Sequence, residues 1–165
     1  MYVAAAYLLI LAAAPALPAA DVACIADRIS AADRAAVLDE ADQGGKRVRG
    51  LLNEAASACA AAGSWTSDHA DRTERAAAAA ILVGAASERL DGNGIPARLI
   101  VEWFGGLSPA VRRNPDIGEG FIDALQKRLL ARGVKSAAIE AHATTIGALL
   151  GSLIMTEELN HPDGL

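Results

Sequence analysis

Along most of the chain, apolar residues recur at intervals of three and four, the spacing of one helix face, and nowhere do they hold the strict alternation of a half-buried strand. After Asp21, which is placed to cap a first helix, Val22, Ile25 and Ile29 fall at helical spacing. Ser30-Ala31-Ala32-Asp33 reads either as the cap of a second segment reaching about Asp42 or as a kink in one longer helix. Gln43-Gly44-Gly45 stops that segment. From Lys46 onward Val48, Leu51, Leu52, Ala55, Cys59 and Ala62 form an unbroken stripe, with Gly63 placed as the residue just past the helix end. Thr66 or Ser67 opens the next helix, and Asp68, Asp71 and Glu74 in its first turns suit the positive end of a helix dipole. Its middle, Ala76 to Ala86, is apolar nearly all round, the mark of a central, buried helix.

Asp91-Gly92-Asn93-Gly94-Ile95-Pro96 ends this helix, and Pro96 starts a short one to about Phe104. Gly105-Gly106 and Ser108-Pro109 break the chain, Ala110 to Arg113 form a turn or short helix, and Asn114-Pro115 interrupts it. Ile117, Phe121, Leu125 and Leu129 recur every fourth residue up to a stop at Gly133. Ser136 opens a last helix to about Leu159, with Ile139, Ala143, Ile146, Leu150 and Leu153 on one face. The expectation is an all-α fold, a single alanine-rich bundle of about five or six helices. Gly84, Gly147 and Gly151 are expected to let helices approach closely in its core.

Composition supports this reading. Hydrophobic residues make up 53% of the chain but aromatics only 4%. The excess is alanine, the strongest helix former, which loses no side-chain entropy on burial. The net charge of −5 lies wholly at or after Asp21. An acidic domain of this kind lacks the basic stripe that a nucleic-acid partner requires and the clustered Lys and Arg that hold a protein on anionic lipid. The basic knot Lys46-Arg47-Val48-Arg49 is short and reads as a solvated helix face.

The N-terminus departs from the helical pattern. Val3 to Ala14 is an uncharged apolar run, followed by Pro15-Ala16-Leu17-Pro18-Ala19-Ala20, where prolines break the helix and small residues suit a signal peptidase. We therefore expect residues 1–20 to be a secretory signal and residues 21–165 an all-helical domain, periplasmic or secreted. The cleavage point is open: Ala14-Pro15-Ala16 fits the small-x-small rule, while Ala19 or Ala20 gives a mature start near Asp21. The alternative is an uncleaved membrane anchor, for which the run is shorter than the ~20 residues a span needs. Lipid attachment at Cys24 is disfavoured because Asp21 stands where an apolar residue is required. No later segment is long enough to span a membrane.

Cys24 and Cys59 are the two cysteines of the chain. In an oxidising compartment an even count favours a disulfide, and Cys59 on the apolar face of its helix would meet a neighbour carrying Cys24.

Candidate chemistry is thin. Asp91-Gly92-Asn93 begins like a calcium loop, but Ile95 and Pro96 replace an oxygen ligand and the required glycine, so a helix end explains it better. In Asp68-His69-Ala70-Asp71-Arg72-Thr73-Glu74-Arg75, Asp68 with Arg72 and Asp71 with Arg75 read as ion pairs one turn apart. His142 flanks an apolar stripe as a structural histidine. Glu157 and His161 are four apart but have no third metal ligand, and neither a metal nor another cofactor is expected. Trp103 and Phe104 are the one aromatic pair, able to fill the core or to line a pocket or interface. The favoured expectation is a non-enzymatic protein that binds a protein or small-molecule partner. The alternative is an exported helical enzyme acting on a small anionic substrate, with Arg98, Glu102, Arg112, Arg113 and the Asp68–Arg75 segment as its first candidates.

Overall fold

A computed structural model describes residues 17–41, 45–113, 115–116 and 118–160. Most of the segment expected to be a signal, up to residue 16, lies outside the described residues, as do the stop at 42–44, Asn114, Ile117 and residues 161–165 with His161. Within them the fold is all-α, with no strand and nine helices. These are α1 (Ala19–Arg28), α2 (Ala31–Ala41), α3 (Lys46–Gly63), α4 (Ser67–Gly92), α5 (Ala97–Gly105), α6 (Pro109–Arg113), α7 (Glu119–Ala131), α8 (Ser136–Ala141) and α9 (Ala143–Asn160). The number exceeds the expectation because two segments split and the stretch expected as a turn or short helix forms α6. Ser30 resolves the first ambiguity in favour of a separate α2: its hydroxyl accepts the Asp33 amide at 3.1 Å and donates to the Asp33 carboxylate at 2.6 Å. The last helix breaks at His142, leaving α8 and α9 where one helix was expected.

The long helix α4 is the axis of the bundle, packing against α1, α2, α3, α5 and most extensively α9. That position follows from its composition. Ala77, Ala79 and Ala86 are completely buried or nearly so, which small side chains permit when neighbours approach from several directions. Ile25 of α1, Leu90 of α4, Ile95 in the loop after α4, Ile100 of α5, Leu129 of α7 and Leu149 of α9 supply the bulk of the core, each fully buried. The disulfide Cys24–Cys59 joins α1 to α3 across a Cα–Cα distance of 6.2 Å, with Cys59 only 1% exposed.

Helix ends correct several expectations in detail. Asp21 does not cap α1; the helix starts two residues earlier behind Pro18, whose carbonyl accepts the amides of Asp21 and Val22. Gly63 is the last residue of α3, and the left-handed position is Ser64, at φ 53°. The Trp65 indole lies where a Cβ of residue 63 would sit, so glycine there makes room for the ring. Thr66 caps α4 by accepting the His69 amide. The turn after α4 closes with Gly94 at φ 75°, the Ile95 amide on the Leu90 carbonyl, and Asp91 accepting the Ala97 amide at 2.8 Å. The calcium-like carboxylate thus holds the start of α5.

The glycines expected at helix contacts do not lie there. A Cβ at Gly84, Gly147 or Gly151 would meet nothing within 4 Å, and Gly147 and Gly151 face solvent. The close approach is made through buried alanines on α4. The stripe on α3 is also shifted: Ala56 is buried while Ala62, in the last turn, is exposed.

Candidate functional site

The residues singled out by sequence come together only in part, around the C-terminal end of α5. Its apolar face buries Leu99, Ile100 and Phe104, so Phe104 is a core residue. Trp103, next in register, is half-buried and meets Phe121 of α7 edge-to-face, with ring centroids 4.8 Å apart and planes at 67°. This pair is how α7 attaches to α5, reinforced by Leu125 and Leu129 in the core. Arg98 and Glu102 are largely exposed and face each other one turn apart at 3.6 Å.

Arg112 of α6 has a different setting. Its Nε donates to Glu157 of α9 at 3.1 Å, and Nη1 donates to the Gly105 carbonyl at the end of α5 at 2.9 Å. The two side chains are 23% and 15% exposed, so the pair is sheltered and charge-assisted rather than freely solvated. Arg112 therefore fastens α5, α6 and α9 together. Arg113 turns back to the Pro109 carbonyl of its own short helix, at 3.3 Å. The four charged candidates thus form separate interactions: Arg98 with Glu102, Arg112 with Glu157 and Gly105, and Arg113 with Pro109.

A second polar constellation escaped the sequence reading. His69 in the first turn of α4 lies 2.8 Å from Asp21 of α1 through Nε2, and Trp65 packs edge-on against its ring at 5.1 Å. The pair is 28% and 25% exposed on its side chains. The His69 carbonyl accepts the hydroxyl of Thr73, which is fully buried. A histidine oriented by a carboxylate is two parts of a nucleophilic triad. Both cysteines, however, are joined in the disulfide, and the imidazole is held by Asp21 and packed against Trp65. The geometry does the work of a tie between α1 and α4, close to the Cys24 end of the disulfide in sequence. No short-range signal predicts it, because the partners are 48 residues apart.

Neighbouring charges also differ from the expected pairs. Arg72 reaches the Leu159 carbonyl of α9 at 3.4 Å rather than a carboxylate one turn away. Glu74 has its carboxyl pushed above the ordinary range, first by burial and then by the nearby negative charge of Asp71. The basic knot of α3 buries Val48, while Arg47 pairs with Asp33 of α2. Among the described residues no group of three or more His, Cys, Asp or Glu is placed to hold a metal ion.

The remaining feature is apolar. Val111 of α6 and Ile122 and Leu130 of α7 are large hydrophobic residues that stay 40%, 44% and 42% exposed. Ile122 and Leu130 lie about two turns apart on α7, on the shoulder of the stripe formed by Phe121, Leu125 and Leu129. The shoulder was legible in principle, since all five residues fall within one broad arc of the helix. A stripe at a spacing of four, through Ile117, Phe121, Leu125 and Leu129, omits Ile122 and Leu130.

No family model, no curated protein and no solved structure matches this chain. Function therefore rests on the geometry above.

Proposed function

We propose that this chain is an exported, disulfide-braced helical module that acts by binding a protein partner through the exposed apolar shoulder of α7. The observation that carries this reading is the exposure of Ile122 and Leu130 on a helix that already has its own buried stripe. Isolated apolar side chains at a surface are ordinary, but two about two turns apart on one helix that also carries a buried stripe form the kind of edge that partner helices cover. Export is supported by the disulfide, which persists in oxidising compartments. It is supported further by the apolar run and small residues that precede the first described helix, and no described helix is long and apolar enough to cross a membrane.

The alternative enzymatic reading needs its arginines and carboxylates to converge, whereas Arg112 and Arg113 are committed to local partners. A photo-crosslinking residue placed at 122 in the exported protein tests the binding proposal against the same residue at exposed Glu54 on α3. Adducts specific to position 122, lost when Leu130→Glu is added while the circular dichroism spectrum is unchanged, are the expected result. Equal labelling at both positions would remove the shoulder as a binding edge.

A further inference from the structure

We infer that signal processing cuts the bond between Ala16 and Leu17, so that the mature protein begins at Leu17. This rests on the export reading above. Water adds across that peptide bond, leaving a carboxylate on Ala16 and an ammonium on Leu17. Two independent arguments meet at this bond.

The first comes from what the folded domain uses. Leu17 is half-buried and packs against the core. Pro18 stands at the N-cap of α1, and its carbonyl accepts the Asp21 amide at 2.9 Å and the Val22 amide at 3.3 Å. Ala19 and Ala20 are the first two residues of the helix. A cut after Ala20 would remove all of this. It would also turn Asp21 into the terminal residue, with an ammonium on the atom that now donates to Pro18. That new positive charge would lie at the positive end of the helix dipole, beside the carboxylate that holds His69 at 2.8 Å. Asp21 and Cys24, which tie α1 to α4 and to α3, would then stand in a frayed first turn.

The second argument comes from recognition, which acts on the extended chain before folding. Signal peptidases require small residues at the last and third-last positions of the leader. A cut after Ala16 places Ala16 and Ala14 there. A cut after Ala19 places Leu17 at the third-last position, and one after Ala20 places Pro18 there. A cut after Ala14 satisfies the small-residue rule but makes Pro15 the leaving residue, whose ring replaces the amide hydrogen. The recognition rule and the needs of the fold therefore select the same bond.

The test is intact mass and N-terminal sequencing of the full chain after expression through a bacterial secretory route and recovery from the exported fraction. The expected species begins at Leu17. A start at Pro15, Ala20 or Asp21 overturns the inference and leaves export standing, whereas an intact Met1 on all of the protein overturns the export reading as well. Two substitutions give a second readout. Ala16→Arg should abolish the Leu17 start, and Ala20→Arg, at an exposed helix position, should leave it unchanged. A Leu17 start that survives Ala16→Arg, or that is lost with Ala20→Arg, overturns the assignment.

Discussion

Removing the disulfide should cost this domain a large share of its stability, and the size can be worked from the loop it closes. Cys24 and Cys59 are 35 residues apart. In the chain-entropy description, cross-linking a loop of that length lowers the entropy of the unfolded chain enough to stabilise the fold by about 4 kcal/mol. A domain of this size typically has about 5–15 kcal/mol in total, so the bridge decides whether the fold survives heating. The double substitution Cys24→Ala/Cys59→Ala removes the constraint without placing a hydroxyl at position 59, which is 1% exposed. Urea unfolding followed by far-ultraviolet circular dichroism should show a stability lower by about 4 kcal/mol. The thermal midpoint should fall by roughly 10–15 °C. Wild type with its disulfide reduced should behave like the variant, since both lose the same loop constraint. A double variant within ~1 kcal/mol of the oxidised protein would refute the argument, because the bridge would then restrict the unfolded chain far less than a 35-residue closure requires.

Three further substitutions probe individual sites. Ser87→Ala should raise stability by about 1 kcal/mol in urea unfolding, because the buried Ser87 Oγ is desolvated without a hydrogen-bond partner and alanine is the better helix former. Ser64→Gly should also stabilise, by about 1 kcal/mol, since residue 64 holds a left-handed backbone at φ 53° that a side chain disfavours; an unchanged midpoint would count against that strain. Glu74→Gln should raise the thermal midpoint at neutral pH. The Glu74 carboxyl is held above its ordinary value by burial and by Asp71, so the folded state binds its proton more tightly than the unfolded chain does. Stability is therefore lost as pH rises from the ordinary carboxylate range through the raised folded value. The advantage of glutamine should shrink on acidification below that range; one that persists there would contradict the sign.

Helix class and the central place of α4 were legible because they depend on patterns that span many residues. An apolar run such as Ala76 to Ala86 cannot lie on a surface, and alanine there fixes how near the neighbours come. The disulfide was legible for a related reason, as Cys59 falls on the buried stripe of α3. Helix ends were less so, because several residues compete for each cap. Asp21 and Gly63 are good capping residues by type, yet the chain uses Pro18 and Ser64 instead. At Gly63 the deciding factor is the indole of Trp65, a contact that residue preferences alone do not include. The Asp21–His69 tie lies further out of reach: either residue is unremarkable alone, and only the packing of α1 on α4 brings them within 2.8 Å.

The α7 shoulder shows a different limit. Periodicity reports how wide an apolar arc is, but not how many helices cover it. On α7 the arc from Phe121 through Leu125 and Leu129 to Ile122 and Leu130 is broader than a single neighbour can bury. On α4 a similar breadth is met by five other helices and leaves no large exposed hydrophobic residue. On α7 the principal neighbour is α5, and the uncovered side is where Ile122 and Leu130 remain 44% and 42% exposed. Both helices carry more apolar surface than one contact can bury. Only the three-dimensional arrangement separates the one whose surplus is satisfied within the domain from the one whose surplus is left at its edge.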